Sequence, residues 1–249
     1  MNEKTLKEKF LNILFPRDIK CLVCKEELSH NTLYSICDTC MDKLPFIRGK
    51  ICLRCGQPLA NESNYCLNCK NHKSEFKASR SVFLYRGAIR RMIKNLKYDN
   101  MKYLAKTFGN FIASEVMNYS VKFDVVIPVP LSERRKKIRG YNQAYLLCGA
   151  LKDKLHLDVR EEVLLKTKHT SSQAYLSVEE RRKNLENSFK VSDKTLVKGK
   201  TILLVDDIYT TGSTLNECAK TLKKAGAKEV YCVTLAHADF THKDKENNK

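Results

Sequence analysis

The chain has no tryptophan among its 249 residues, and it has fewer acids than bases, 28 Asp and Glu against 46 Lys and Arg. It has no apolar run of the eighteen or so residues that a membrane-spanning helix needs. The first ten residues, MNEKTLKEKF, carry acids and no apolar stretch, so they do not form a signal peptide. These absences lead us to expect an intracellular chain without a membrane span. With 43% hydrophobic and 30% charged residues, the chain can build a core, which excludes wholesale disorder. The formal charge of +18 favours an anionic partner such as nucleic acid, a phosphorylated small molecule or an acidic membrane surface, although lysines also simply solvate surfaces.

Cysteine is abundant and unevenly placed. Eight of the eleven lie between residues 21 and 69, in four C-x-x-C pairs: Cys21/Cys24, Cys37/Cys40, Cys52/Cys55 and Cys66/Cys69. Two intervening residues let both sulfurs of a pair face one ion while nearby amides turn toward them. Two such knuckles complete a tetrahedral four-thiolate site. A single pair also suits a redox dithiol, but four in fifty residues point to two structural zinc ions, with iron–sulfur as the lesser alternative. The spacing leaves sequential and interleaved pairing both open. Gly56 follows Cys55, where a knuckle benefits from a residue that tolerates positive φ. A ribbon this small draws its folding energy from metal, and Cys52→Ser is expected to lose one ion without unfolding the core. Eight thiolates subtract eight charges and two zinc ions restore four, which leaves the chain near +14. Cys148, Cys218 and Cys232 sit among apolar neighbours and read as small buried hydrophobes.

Beyond a polar linker at 70–79, the pattern alternates between strand and helix. Ser81–Tyr85 reads as a strand. Ile89, Met92, Ile93 and Leu96 recur at helical spacing, with Arg90, Arg91, Lys94 and Lys97 on the other face, which reads as solvated, with phosphate binding as the alternative. A second helix carries Leu104, Phe108, Phe111, Ile112 and Val116. Asp124–Pro130 is a buried parallel strand ended by two prolines, and ligands in open α/β sheets bind at that end. Arg134, Arg135, Lys136, Lys137 and Arg139 follow at once, which suggests contact with pyrophosphate or nucleic acid. Tyr141–Ala144 opens another helix, through Leu151. Residues 166–184 read as a mobile loop leading into a short helix near Ser177–Leu185, and His169 in that loop reads as an ordinary solvated histidine. Tyr141, Tyr145 and Tyr175 are candidates to stack on bases.

Thr201–Thr214, TILLVDDIYTTGST, carries the most chemistry. Ile202–Val205 reads as a buried strand with Asp206 and Asp207 at its carboxyl end. The small hydroxyl-rich loop Thr210-Thr211-Gly212-Ser213-Thr214 then opens a helix that stops near Gly226. Uncovered amides and the positive end of a helix suit a phosphate monoester. The two carboxylates suit ribose hydroxyls or water on a bound Mg²⁺. The G-K-[ST] ending of a Walker loop is missing, and only one glycine of a dinucleotide fingerprint is present. Adjacent acids at a strand end repel each other unless a ligand or cation uses them.

VDDIYTTGST resembles the phosphoribosyl pyrophosphate (PRPP) motif of type I phosphoribosyltransferases. The wider pattern of eight cysteines in double-zinc-ribbon spacing, IPVPLSERRKKIRGYNQA, the segment with Gln173, Leu176, Arg181 and Asn184, and the PRPP motif resembles the ComF (ComFC) family over residues 15–238. The resemblance implies an α/β fold, a type I phosphoribosyltransferase-like parallel sheet flanked by helices (80–238), preceded by an N-terminal double zinc ribbon (15–72). It implies that Thr210–Thr214 hold the 5-phosphate, that Asp206 and Asp207 face the ribose hydroxyls, and that Val129-Pro130 approach the pyrophosphate with the 134–139 bases nearby. The loop at 168–176 would match a flexible lid, and Mg²⁺ would accompany PRPP. It further implies a cytoplasmic role in DNA uptake and natural transformation, handling single-stranded DNA at the inner face of the membrane with a helicase or translocase and a membrane channel. The alternative is a transferase that moves phosphoribose from PRPP to an unknown nitrogenous acceptor. Both readings keep the same pocket, so the sequence leaves open whether catalysis occurs, and no recognisable hood identifies an acceptor.

Overall fold

The computed structural model describes residues 20–28, 32–167 and 185–238. The chain divides into two compact units, Met1–Leu44 and Pro45–Lys249. In the first, Cys21 and Cys24 share a tight turn closed by Lys25 N–H donating to Cys21 O at 2.9 Å, and α1 (Asp38–Asp42) begins directly after Cys37. The amides of Val23 and Cys37 each donate to Cys21 Sγ at 3.4 Å, as a thiolate-holding knuckle requires.

The second unit opens with the matching knuckle. Gly56 N–H donates to Cys52 O at 2.9 Å, and α2 (Leu67–Asn71) begins after Cys66. Gly56 has φ +77°, and a Cβ there would lie 2.6 Å from the carbonyl oxygen of Ser79, so both conformation and space demand glycine. Sulfurs Cys21/24/37/40 form one cluster and Cys52/55/66/69 another, each within 4.8 Å. The pairing is therefore sequential. Zinc–sulfur bonds of about 2.3 Å in a tetrahedron set sulfurs about 3.8 Å apart. Cys24 and Cys37 lie at 3.8 Å and Cys55 and Cys66 at 3.7 Å, so both donor sets fit a structural zinc ion. Burial and neighbouring thiols push Cys40 up to about 12, which reflects sulfurs crowded together for a cation.

The remaining elements are β1 (Ser79–Leu84), α3 (Gly87–Tyr98), α4 (Leu104–Val116), β2 (Val125–Pro128), α5 (Glu133–Arg139), α6 (Gln143–Leu147), α7 (Gly149–Leu155), β3 (Leu164–Lys166), β4 (Phe189–Val191), β5 (Thr201–Tyr209), α8 (Ser213–Lys224) and β6 (Glu229–His237). Four strands form a sheet in the order β1-β6-β5-β2, every neighbouring pair parallel. The register sets Ile127 beside Leu204 and Val205 beside Val233. Helices on both faces explain the unbroken Val/Ile/Leu runs of β2, β5 and β6. α4 packs on β1 and β6, and α8 on β5 and β6 from the other side. β3 and β4 make a small antiparallel pair. Among the described residues no helix is long and apolar enough to cross a membrane.

The α8 face has an unexpected component. Cys52, Cys55, Cys66, Cys69 and Phe76 belong to the same apolar core as Ile202, Leu204, Cys218 and Leu222. The second metal site is thus built into the sheet's own core, and the expectation that Cys52→Ser leaves that core intact is revised. Elemental analysis should return two zinc ions per chain. Cys24→Ser should shed one and leave the melting of the sheet within about 2 °C. Cys52→Ser should shed the other and lower the melting temperature by about 5 °C or more, the effect of roughly 2 kcal/mol in a unit of this size. Equal, small shifts in both variants would sink the idea that the second cluster is part of the core.

Candidate functional site

Strand β5 runs on through Tyr209, so the acids lie inside the strand and not beyond its end as expected from sequence. Successive side chains in a strand point to opposite faces. Asp207 turns toward α3, where its Oδ2 lies 2.8 Å from Lys97 Nζ, with both side chains largely buried. Asp206 turns toward the α8 face, within electrostatic reach of Lys166, Cys218 and Cys232. Its Oδ1 accepts from Asp207 N–H at 2.8 Å. Burial pushes the Asp206 carboxyl up to about 7, Asp207 adds to the push, and Lys97 pulls against it. Burial alone would lower the Lys97 ammonium, yet Asp207 and Asp206 hold it above its ordinary value.

The sequence reading placed Lys97 on the solvated face of α3. Arg90, Arg91 and Lys94 are exposed there, but Lys97 is not. The signal was present: Lys97 follows Ile89 and Ile93 at i+8 and i+4, at the edge of the apolar stripe. The cation that adjacent acids require is thus supplied by the chain itself.

The phosphate loop follows. Gly212 has φ +75°, and a Cβ there would fall on the Tyr209 hydroxyl. Tyr209 is itself fixed, stacked on His237 at 4.7 Å and 17° and met edge-on by Phe76 at 6.4 Å. Thr211 Oγ1 and Ser213 Oγ share a hydrogen bond of 2.8 Å, and Asn216 N–H donates to Gly212 O at 2.8 Å, which starts α8. Thr210 is exposed, while Thr211, Ser213 and Thr214 are partly exposed at the head of this three-turn helix, whose first amides have no helical partner. A cavity of about 360 Å³ opens beside the loop, lined by Thr211 and Ser213 and by both cations (Arg54, Lys220) and acids (Glu75, Glu217).

Val129 and Pro130 follow β2, the strand beside β5. Val129 N–H donates to Val205 O at 2.8 Å, and Asn142 Nδ2 donates to Val129 O at 3.1 Å. Asn142 also caps α6 through Ala144 N–H at 3.1 Å, so one buried side chain pins the turn to the next helix. The basic run forms α5, capped by Ser132 and ended by Gly140 in the left-handed conformation. Arg134, Arg135, Lys136 and Lys137 are exposed around it. Arg139 instead donates to Gln143 Oε1 and lies over the Tyr98 ring at 5.6 Å. A second cavity, about 540 Å³, joins Pro130 and Lys136 to Lys166 and Lys190.

Tyr141 is buried, its hydroxyl donates to Leu96 O, and Lys102 covers its ring at 4.8 Å. It is not available to stack on a base; Tyr145 and Tyr98 are exposed. Tyr175, His169, Gln173, Leu176, Arg181, Asn184, the 168–176 lid and most of the helix expected near Ser177–Leu185 lie outside the described residues.

Because the folded state raises Asp206, the stability this group contributes is complete below about pH 4 and is lost as pH rises through about 7. Asp206→Asn removes the charge without removing the acceptor. In thermal melts from pH 5 to 8, the variant's melting temperature should gain on that of the unaltered protein as pH rises. Parallel curves would show that Asp206 does not titrate in this range.

Comparison with known proteins adds to this geometry. Residues 10–70 match the double zinc ribbon domain and residues 142–249 the phosphoribosyl transferase domain. Competence protein F of Haemophilus influenzae is 31% identical over 229 residues, which cover 89% of this chain and 98% of that protein. DNA utilization protein YhgH of Escherichia coli is 30% identical over 224 residues, 86% of this chain and 95% of its own. Competence protein ComFC of Bacillus subtilis is 28% identical over 234 residues, 86% and 93% of the two chains. The similarity spans the cysteine-rich head and the parallel sheet together, and on that footing the chain belongs to the competence protein F (ComF/ComFC) family.

Proposed function

We propose that this chain binds PRPP with Mg²⁺ at the carboxyl edge of its sheet and serves DNA uptake in natural transformation by handling single-stranded DNA on the cytoplasmic side. The observation that carries the first half is the continuity of β5, Asp206-Asp207, the Thr210–Thr214 loop and the head of α8. In this reading the loop amides and hydroxyls take the 5-phosphate. The carboxylates accept from ribose hydroxyls and hold water on Mg²⁺, and the Val129-Pro130 turn borders the pyrophosphate without donating to it, since Val129 N–H is bonded to Val205 O and Pro130 has none. Mg²⁺ supplies charge neutralisation for the pyrophosphate. The intact pocket also supports the second reading, a transferase acting on a nitrogenous acceptor, and product analysis with PRPP and a panel of bases distinguishes it.

Exposed cations support the DNA half. Arg139 over the exposed Tyr98 ring joins α5 to α3, the two helices that carry the exposed Arg134–Lys137 and Arg90, Arg91 and Lys94. Phosphate neutralisation with a stacking platform is the usual chemistry of sequence-tolerant single-strand binding. The names of the relatives, competence and DNA utilization, agree with such a role. A helicase or translocase and a membrane channel are the partners this role would require.

Two measurements test the proposal. In calorimetry with PRPP and Mg²⁺, Asp206→Ala combined with Asp207→Ala should weaken binding tenfold or more, since each lost charged hydrogen bond is worth roughly 1.5–3 kcal/mol. Unchanged affinity would rule out the site. For single-stranded DNA, log affinity should fall with log salt at a slope of about −0.7 per phosphate contacted. Replacing Arg134, Arg135, Lys136 and Lys137 with Ala should weaken binding and flatten that slope together. An unaltered slope would move the DNA surface to Arg90, Arg91 and Lys94.

A further inference from the structure

Of the four cations on α3, three reach solvent and one is turned inward to a carboxylate in the middle of the sheet's carboxyl edge. A buried ion pair is weak evidence for stability, because the cost of desolvating both charges offsets much of their attraction. Apolar residues at both positions would hold α3 on the sheet at least as well. α3 already has such an anchor in Ile89, Met92, Ile93 and Leu96, all buried. Packing therefore does not account for Lys97. The chemistry of the neighbouring groups does. Asp206 and Asp207 are adjacent in sequence and repel each other, and a carboxylate that must accept hydrogen bonds from sugar hydroxyls has to be charged and held in one orientation before the ligand arrives.

We propose that Lys97 is a positioning residue for the sugar site: its ammonium engages Oδ2 of Asp207, fixes that carboxylate, and leaves Oδ1 as the acceptor for a hydroxyl of a ribose 5-phosphate moiety. The inference rests on the phosphoribosyl reading of the pocket and deepens it by naming the residue that sets up its acid. Lys97 acts through Asp207 and does not hold phosphate. The 5-phosphate is left to the Thr210–Thr214 loop, which runs into the first turn of α8 and takes no part in the ion pair. The ligand class that depends on Lys97 is thus a phosphorylated sugar with free hydroxyls. An anion without a sugar, such as inorganic phosphate, does not depend on it.

The test is a double-mutant cycle read by calorimetry with PRPP and Mg²⁺, with thermal melts alongside. Lys97→Met should weaken binding at least tenfold, and Lys97→Arg should restore most of it, because a guanidinium also engages a carboxylate. Asp207→Asn should weaken binding to a similar degree, and Lys97→Met added to Asp207→Asn should cost nothing more. If Lys97→Met alone fails to fold because Asp207 is left buried and unpaired, the uncharged double variant set against Asp207→Asn carries the same test. Equal affinities support the inference, and a further tenfold loss in the double variant overturns it by showing that Lys97 contacts the ligand directly. Lys97→Met binding PRPP like the unaltered protein would overturn this inference alone. Failure of the unaltered protein to bind PRPP would overturn the phosphoribosyl reading, and this inference with it.

Discussion

Two carboxylates one peptide apart, in a strand buried on both faces, need a cation, and the arrangement of the carboxyl edge follows from how this chain meets that need. β5 sends Asp206 and Asp207 to opposite faces of the sheet. Asp207 meets Lys97 at 2.8 Å, while Asp206 stays among buried thiols, raised to about 7. One acid is therefore ion-paired within the protein, and the other is pushed up by burial. α3 must lie across the sheet edge to bring Lys97 in, which also sets Tyr98 under Arg139 and so joins α3 to α5.

The other face carries the second cysteine cluster. On this face the second cysteine cluster and Phe76 share one core with α8, with Leu164 and Phe189 of the β3–β4 pair and with Val197. Tyr209 connects this core to the phosphate loop. Its ring is met by Phe76 on one edge and stacked on His237, while its hydroxyl occupies the space that any side chain at position 212 would need. The left-handed turn that opens the phosphate loop is thus braced from beneath by an aromatic contact that reaches the metal-bearing segment. The first cluster lies in a compact unit of its own, Met1–Leu44.

The legible parts of this molecule were those whose chemistry is written in short spacings. C-x-x-C fixes which sulfurs share a turn, and a strand followed by two acids and TTGST fixes the order of carboxylate, loop and helix head. Local patterns also located β1, α3, α4 and β2 to within a few residues. Apart from the end of β5, which the sequence sets at Val205 and the structure at Tyr209, the failures concerned contacts between distant segments. Nothing near Lys97 announces Asp207, 110 positions away, although its place at the edge of the apolar stripe was a usable hint. Tyr141 looked available because its neighbours are polar, but its hydroxyl reaches Leu96 in another helix. Cys52 looked separable because its knuckle is local, whereas its burial depends on residues of β5 and α8. The choice between sequential and interleaved sulfur pairing was likewise a tertiary matter.

The division of charge at the carboxyl edge bears on how one basic protein could serve two anionic ligands. The acids sit inside the sheet, and one of them is already neutralised by Lys97, so the pocket is not simply a basic hole that any phosphate chain would enter. A polynucleotide backbone offers phosphates and no free vicinal hydroxyls, so it gains nothing from Asp206 and Asp207. A phosphoribosyl group offers both, and an acid pair followed by a bare amide loop favours it selectively. Arg134–Lys137, by contrast, are exposed around a capped surface helix, where long flexible cations can track a strand of any sequence. In the proposed function the two ligands are therefore separated by chemistry before they are separated by distance: hydroxyl recognition inside the sheet edge, phosphate neutralisation outside it.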